Sequence, residues 1–78
     1  MMIRKKRVKG VTILLNADYD LENDTATYLV TYNGTKLFFR KFRDASVLFK
    51  SLGQEIEMGC DMDYRINTLV SMYGKEVA

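Results

Sequence analysis

Four carboxylates at alternate positions, Asp18, Asp20, Glu22 and Asp24, are the first candidates for chemistry in this chain. Their spacing matches positions 1, 3, 5 and 7 of an EF-hand loop, whose oxygens surround a calcium ion. Position 6 of that loop needs glycine for its sharp turn and here is Asn23; position 12 needs a bidentate glutamate and here is Leu29. The flanks also read as strand rather than helix. The four acids are therefore expected on a solvated strand end and turn, and as an acidic surface row they are a docking candidate for a protein partner.

Glu55 with Glu57, and Asp61 with Asp63, offer paired carboxylates of the kind acid–base catalysis uses. Residues two apart on a helix do not converge, so a solvated polar face is expected instead. The chain has no histidine. That removes histidine-assisted nucleophilic catalysis and the commonest metal ligand. The lone Cys60 has no base to activate it and is expected as a small buried apolar residue. One cysteine without histidine also excludes an ordinary zinc site. The glycines at 10, 34, 53, 59 and 74 are scattered and form no phosphate-cradling loop. No cofactor, metal or enzymatic activity is expected.

A basic and aromatic run carries the stronger signal. In Lys36-Leu37-Phe38-Phe39-Arg40-Lys41-Phe42, alternation sets Lys36, Phe38, Arg40 and Phe42 on one side of a strand. Thr27 and Thr31 fall beside them on the neighbouring strand. Lysine and arginine neutralise phosphates, threonine hydrogen-bonds them, and phenylalanine stacks on bases. Arg4, Lys5, Lys6, Arg7 and Lys9 form a basic N-terminal arm that would extend such a contact. The competing reading covers Leu29, Phe38 and Phe42 with the C-terminal element and leaves Lys36 and Arg40 as ordinary edge charges. The acidic row at Asp18 and Asp20 also counts against a uniformly basic sheet.

These residues are positioned by one hairpin. Asn33-Gly34 lies between two runs rich in aromatic and β-branched residues and fits a type I′ turn. A two-residue turn fixes the register. Tyr32 should oppose Thr35, Val30 oppose Leu37, and Tyr28 oppose Phe39. On the other face Thr31 should oppose Lys36, Leu29 oppose Phe38, and Thr27 oppose Arg40. The Tyr28, Val30, Leu37, Phe39 face is the expected core. A preceding strand, from about Val8 to Leu21, would set Ile13, Leu15, Ala17, Tyr19 and Leu21 on one face.

After the third strand, Asp44 is a good N-cap, and Ala45, Leu48, Phe49, Leu52 and Ile56 recur at helical spacing. Gly59 is a plausible stop for that helix. The last stretch reads two ways. Asp61 could cap a helix with Met62, Ile66, Leu69, Val70 and Tyr73 inward, ending at Gly74; alternatively Tyr64, Ile66, Thr68, Val70 and Met72 alternate as a strand. The caps favour helix.

The expected fold class is α+β: a three-stranded antiparallel meander followed by one or two helices packed on one sheet face. The 78 residues make one domain. It divides into a flexible basic arm at 1–7, the meander at 8–42, a helix at 44–58, and a second helix or strand at 61–73. The net charge is +2, but basic and acidic blocks alternate along the chain, a pattern that concerns partners more than fold. One cysteine suggests a reducing, cytoplasmic location. Val11–Leu15 is too short for a signal peptide's apolar region of about 7–15 residues, and no membrane span is expected.

Three strands followed by a helix beginning just after Phe42-Arg43-Asp44 resemble the arm-type DNA-binding domain at the N-terminus of phage and transposon integrases. In that family the sheet lies in the major groove with the helix behind it. The resemblance covers residues 8–58. The family's usual threonine cap is Asp44 here, and its basic sheet is only partly matched by Lys36, Arg40 and Lys41. In size and style the chain is also similar to small phage inhibitors such as anti-CRISPR proteins, which bind and block a host complex. Strand and helix order is shared with the double-stranded-RNA-binding domain, without that domain's first helix or basic helix start. The expected function is nucleic-acid binding through the outer sheet face and basic arm. The alternative is inhibition of a host protein complex, and a third outcome is a homodimer through the same outer face.

Overall fold

A computed structural model of the chain describes residues 1–75. Four strands come first, β1 (Met2–Val8), β2 (Val11–Asp20), β3 (Thr25–Tyr32) and β4 (Thr35–Phe39). Two helices follow, α1 (Phe42–Glu57) and α2 (Met62–Tyr73). The strands form one antiparallel sheet in sequence order, and both helices contribute to the single core beside it. The fold is α+β, with four strands where three were expected. The last three residues of the domain expected over 1–78 lie outside the described residues.

The additional strand is the basic segment. Residues 2–8 are not a loose arm: β1 pairs with β2 from Val8↔Val11 to Met2↔Asn16, with one irregularity between Met2 and Arg4. Lys9 and Gly10 join the two strands with φ of 49° and 80°, so the expected long strand from Val8 to Leu21 turns back near its start. Two consecutive positive φ values give a turn whose twist matches that of the strands.

The second tight turn lies where Asn33-Gly34 places it, with φ of 44° and 88°. The Asn33 amide donates to the Thr12 carbonyl at 2.9 Å, and its Oδ1 accepts from the Thr12 amide at 3.0 Å. The turn is thereby tied to β2 as well. The β3–β4 register runs from Tyr32↔Thr35 to Tyr28↔Phe39. The β3–β4 ladder stops one step short of the expected Thr27–Arg40 register, because β4 ends at Phe39 and the chain bends there.

One sheet face is covered. Ile13, Leu15, Val30, Leu37 and Phe39 pack there against Ala45, Leu48, Phe49, Leu52 and Ile56 of α1 and Ile66 and Leu69 of α2. Phe39 also meets the Tyr73 ring at 4.6 Å between centroids. Val70, expected inward, is 40% exposed. The apolar stripe of α2 is narrow, running through Met62, Ile66, Leu69 and Tyr73, and Val70 lies beside it.

α1 starts at Phe42, two residues before the expected boundary, and its N-cap is Lys41 rather than Asp44. Phe42 packs edge-on against Tyr28, with centroids 5.6 Å apart, which anchors the helix start to the sheet. Asp44 sits in the first turn, where its charge suits the helix dipole. The C-terminus closes through the Gly59 amide to the Ile56 carbonyl at 3.1 Å and the Cys60 amide to the Glu55 carbonyl at 3.1 Å. That pair of bonds, with Gly59 at φ 78°, is a Schellman stop. It turns Cys60 outward, so the cysteine expected in the core is exposed. Asp61 caps α2, accepting from the Tyr64 amide at 3.3 Å. Among the described residues no helix is long and apolar enough to cross a membrane.

Candidate nucleic-acid interface

The opposite sheet face is left open by both helices. Its residues form a grid set by strand register. One complete cross-strand row is Lys5·Leu14·Thr31·Lys36. To one side lies Arg7·Thr12, with the Arg7 guanidinium donating to the Thr12 hydroxyl at 3.0 Å. To the other lies Asn16·Leu29·Phe38, with Met2 opposite Asn16. Asp18·Thr27 follows at the far end. Strands are spaced about 4.8 Å apart, so Lys5 and Lys36 bracket roughly 14 Å of surface. Leu14, Leu29 and Phe38 are half-buried between them, while Lys5, Arg7 and Lys36 are exposed.

This face is polarised. Its positive charges gather at the end bearing the two tight turns, and its carboxylates, Asp18 and Asp20, lie at the other. Of the residues singled out from the sequence, Lys5, Arg7, Thr27, Thr31, Lys36 and Phe38 share the open face. Arg4 and Lys6 do not. They pair with Leu15 and Ile13, whose side chains face the helices. Lys6 lies across buried Gly53, its Cδ 3.4 Å from where a β-carbon would stand, and its Nζ is 4.0 Å from Glu57 Oε1. Lys9 donates to the Glu57 carbonyl at 3.1 Å. These two lysines therefore sit at the negative end of the α1 dipole.

Phe42 also leaves the expected set. The bend after Phe39 carries it to the helix side, against Tyr28. Arg40 follows the end of β4 and is exposed. α2 packs on the Phe39 side, so the expected alternative in which the C-terminal element covers Leu29 and Phe38 does not hold. Thr12 and Leu14 are members of the face that sequence reasoning did not single out. Alternation along β2 already sets them on this face, and Leu14 pairs with Thr31; what β1 adds is Lys5 opposite Leu14 and Arg7 opposite Thr12.

The acidic row is divided among local tasks. Asp20 closes the β2–β3 turn: Oδ1 accepts from the Glu22 amide at 3.0 Å and Oδ2 from the Asn23 side chain at 2.7 Å. The Asn23 side-chain amide, then its backbone N–H, hold the Asp20 carboxyl below its ordinary value. Asp24, at φ 52°, accepts from the Tyr19 hydroxyl. Asp18 and Glu22 are exposed. Among the described residues, no three of His, Cys, Asp and Glu gather as a metal-holding group. Glu55 and Glu57 serve as ties between elements, Glu55 through Arg65 at 3.0 Å and Glu57 through Lys6.

Comparisons of the chain with protein-family models, with characterised proteins and with solved structures find no match.

Proposed function

We propose that this chain is a non-enzymatic module that binds nucleic acid on the open face of its sheet. The observation that carries the reading is the Lys5·Leu14·Thr31·Lys36 row with Arg7 and Thr12 beside it. Cations at both ends can each take a phosphate, the threonine hydroxyls supply neutral hydrogen bonds between them, and Phe38 offers a ring for stacking. The N-terminal basic segment contributes as a fixed strand, through Lys5 and Arg7. Asp18 at the far end repels phosphate and confines the contact to the basic half.

Fluorescence anisotropy with labelled single- and double-stranded oligonucleotides tests this. Three phosphate contacts predict a log–log salt slope of about −2 to −3. Lys5→Ala, Arg7→Ala and Lys36→Ala should each weaken binding and flatten that slope by nearly one. Lys50→Ala, on the exposed side of α1, should change neither. Absence of binding at about 50 mM salt would rule the reading out.

A protein partner on the same face is the second reading. It is favoured by Leu14, Leu29 and Phe38, which lie as diagonal and directly opposed neighbours across three strands. Such a contact would survive added salt and be lost with Phe38→Glu. If the chain blocks a host protein complex in this way, the wild-type chain should capture that complex from its host and the Phe38→Glu variant should not.

A further inference from the structure

The sheet outruns its helices. β4 ends at the Tyr28·Phe39 row, while β2 and β3 continue through Tyr19·Ala26 to Asp20·Thr25 and the turn beyond. The molecule measures 42 × 23 × 19 Å in consequence. On the helix side of this projection, Tyr19 is 54% exposed and Phe42 46%, with half-buried Ala17, Ala26 and Tyr28 between them. At the tip Leu21 is 85% exposed. The result is an apolar ledge running from the start of α1 to the tip of the β2–β3 hairpin.

The two ends of the ledge carry opposite charge. Asp20, Glu22 and Asp24 cluster at the tip; Lys41 and Arg43 flank Phe42 at the helix start. That helix start has no side-chain cap hydrogen bond from Lys41, so its first-turn amides point outward with the positive end of the dipole. At the tip, Asp20 is engaged by Asn23 and Asp24 by Tyr19, which leaves the Glu22 carboxylate to reach elsewhere. A surface with an acidic end, an apolar middle and a basic end is complementary to itself after a two-fold rotation, as an isologous dimer requires.

We propose that two copies of this chain dock along this ledge, the Leu21–Glu22 tip of each lying on the Lys41–Arg43 helix start of the other, with Tyr19 near the axis. A stable interface needs about 800 Å² from each partner, roughly a seventh of the 5497 Å² surface of one chain. The ledge lies on the side opposite the Lys5·Lys36 row, so pairing leaves both open faces uncovered. The proposal is independent of what those faces bind.

Sedimentation equilibrium from about 5 to about 500 µM tests it, since association is a mass-action effect. The wild-type chain should reach twice its monomer mass within that range. Leu21→Glu should stay monomeric, and Glu22→Lys should weaken association at least about tenfold, a loss of about 1.4 kcal/mol. Lys41→Glu with Arg43→Glu, added to Glu22→Lys, should restore it. Leu21 and Glu22 are exposed, so their variants should keep the wild-type circular dichroism spectrum. A wild-type chain monomeric throughout would overturn the proposal. So would a dimer that survives Leu21→Glu, or one that Phe38→Glu dissociates while Leu21→Glu does not.

Discussion

Lys6 shows how one side chain can carry an arm's charge into the fold. Its methylene stem covers Gly53, and its ammonium faces Glu57. Glycine at a helix interior costs about 1 kcal/mol relative to alanine. A β-carbon at 53 would stand 3.3 Å from Lys6 Nζ and 3.4 Å from Cδ, close enough that the lysine must shift by a few tenths of an ångström. Lys6 is a flexible, half-exposed chain whose ion pair is worth little. Gly53→Ala should therefore stabilise the protein by roughly 0.5–1 kcal/mol in urea unfolding. A lower midpoint would mean that the stem is wedged rather than draped. Asp20 gives a pH signature. Its carboxyl is held below the ordinary value of 3.8 in the folded chain, foremost by the Asn23 side-chain amide. The stabilisation it contributes is fully present above that value and lost as pH falls through the lower folded-state pKa. Thermal melts between about pH 2 and pH 6 should show this acid-side loss in the wild-type chain and a smaller one in Asp20→Asn.

The elements differ in how plainly the sequence announced them. The Asn33-Gly34 hairpin and its register were legible because side-chain type, period and turn chemistry agree there. The inward face of α1 was legible for the same reason: Ala45, Leu48, Phe49, Leu52 and Ile56 are all buried. β1 was not. Met2-Ile3-Arg4-Lys5-Lys6-Arg7-Val8 has no apolar alternation, since an edge strand with seven residues of which only Val8 is buried has no buried face to mark. Its turn gave little warning either, because Lys9 is an unusual residue at positive φ. Phe42 was misplaced because alternation was extended three residues past the real end of β4 at Phe39. The candidate interface was legible in Lys36, Phe38, Thr27 and Thr31. It was incomplete because Lys5 and Arg7 were read as part of a loose arm, whereas the fourth strand fixes them opposite Leu14 and Thr12. Removing residues 1–7 separates a tethered arm from a structural strand. An arm would leave stability unchanged, whereas loss of β1 strips the edge of β2 and removes the Lys6 tie to Glu57. The truncated chain should unfold at clearly lower urea concentration, and in the intact chain β1 amides bonded to β2 should exchange more slowly than those of residues 21–24.

Taken whole, the molecule has two unlike sides joined by a thin core. One side is the grid of cations, threonines and Phe38; the other bears both helices and, beyond them, the aromatic ledge. A chain of 78 residues has on the order of 5–10 kcal/mol of net stability, so the core can spare little for an exposed function. That both candidate contact surfaces lie outside the cluster of Ile13, Leu15, Val30, Leu37 and Leu52 means that each can change without hollowing it. The order of the sheet has a consequence in time. Each strand pairs with its sequence neighbour, across segments of two, four and two residues. Closing such short loops costs little chain entropy, and a topology of local pairings crosses its barrier quickly. There is also no proline whose isomerisation could delay part of the population. Stopped-flow dilution from urea should show refolding in one exponential phase within milliseconds, with no fraction trailing over tens of seconds. A chain that completes its sheet this fast exposes the bare edges of β2 and β3 only briefly.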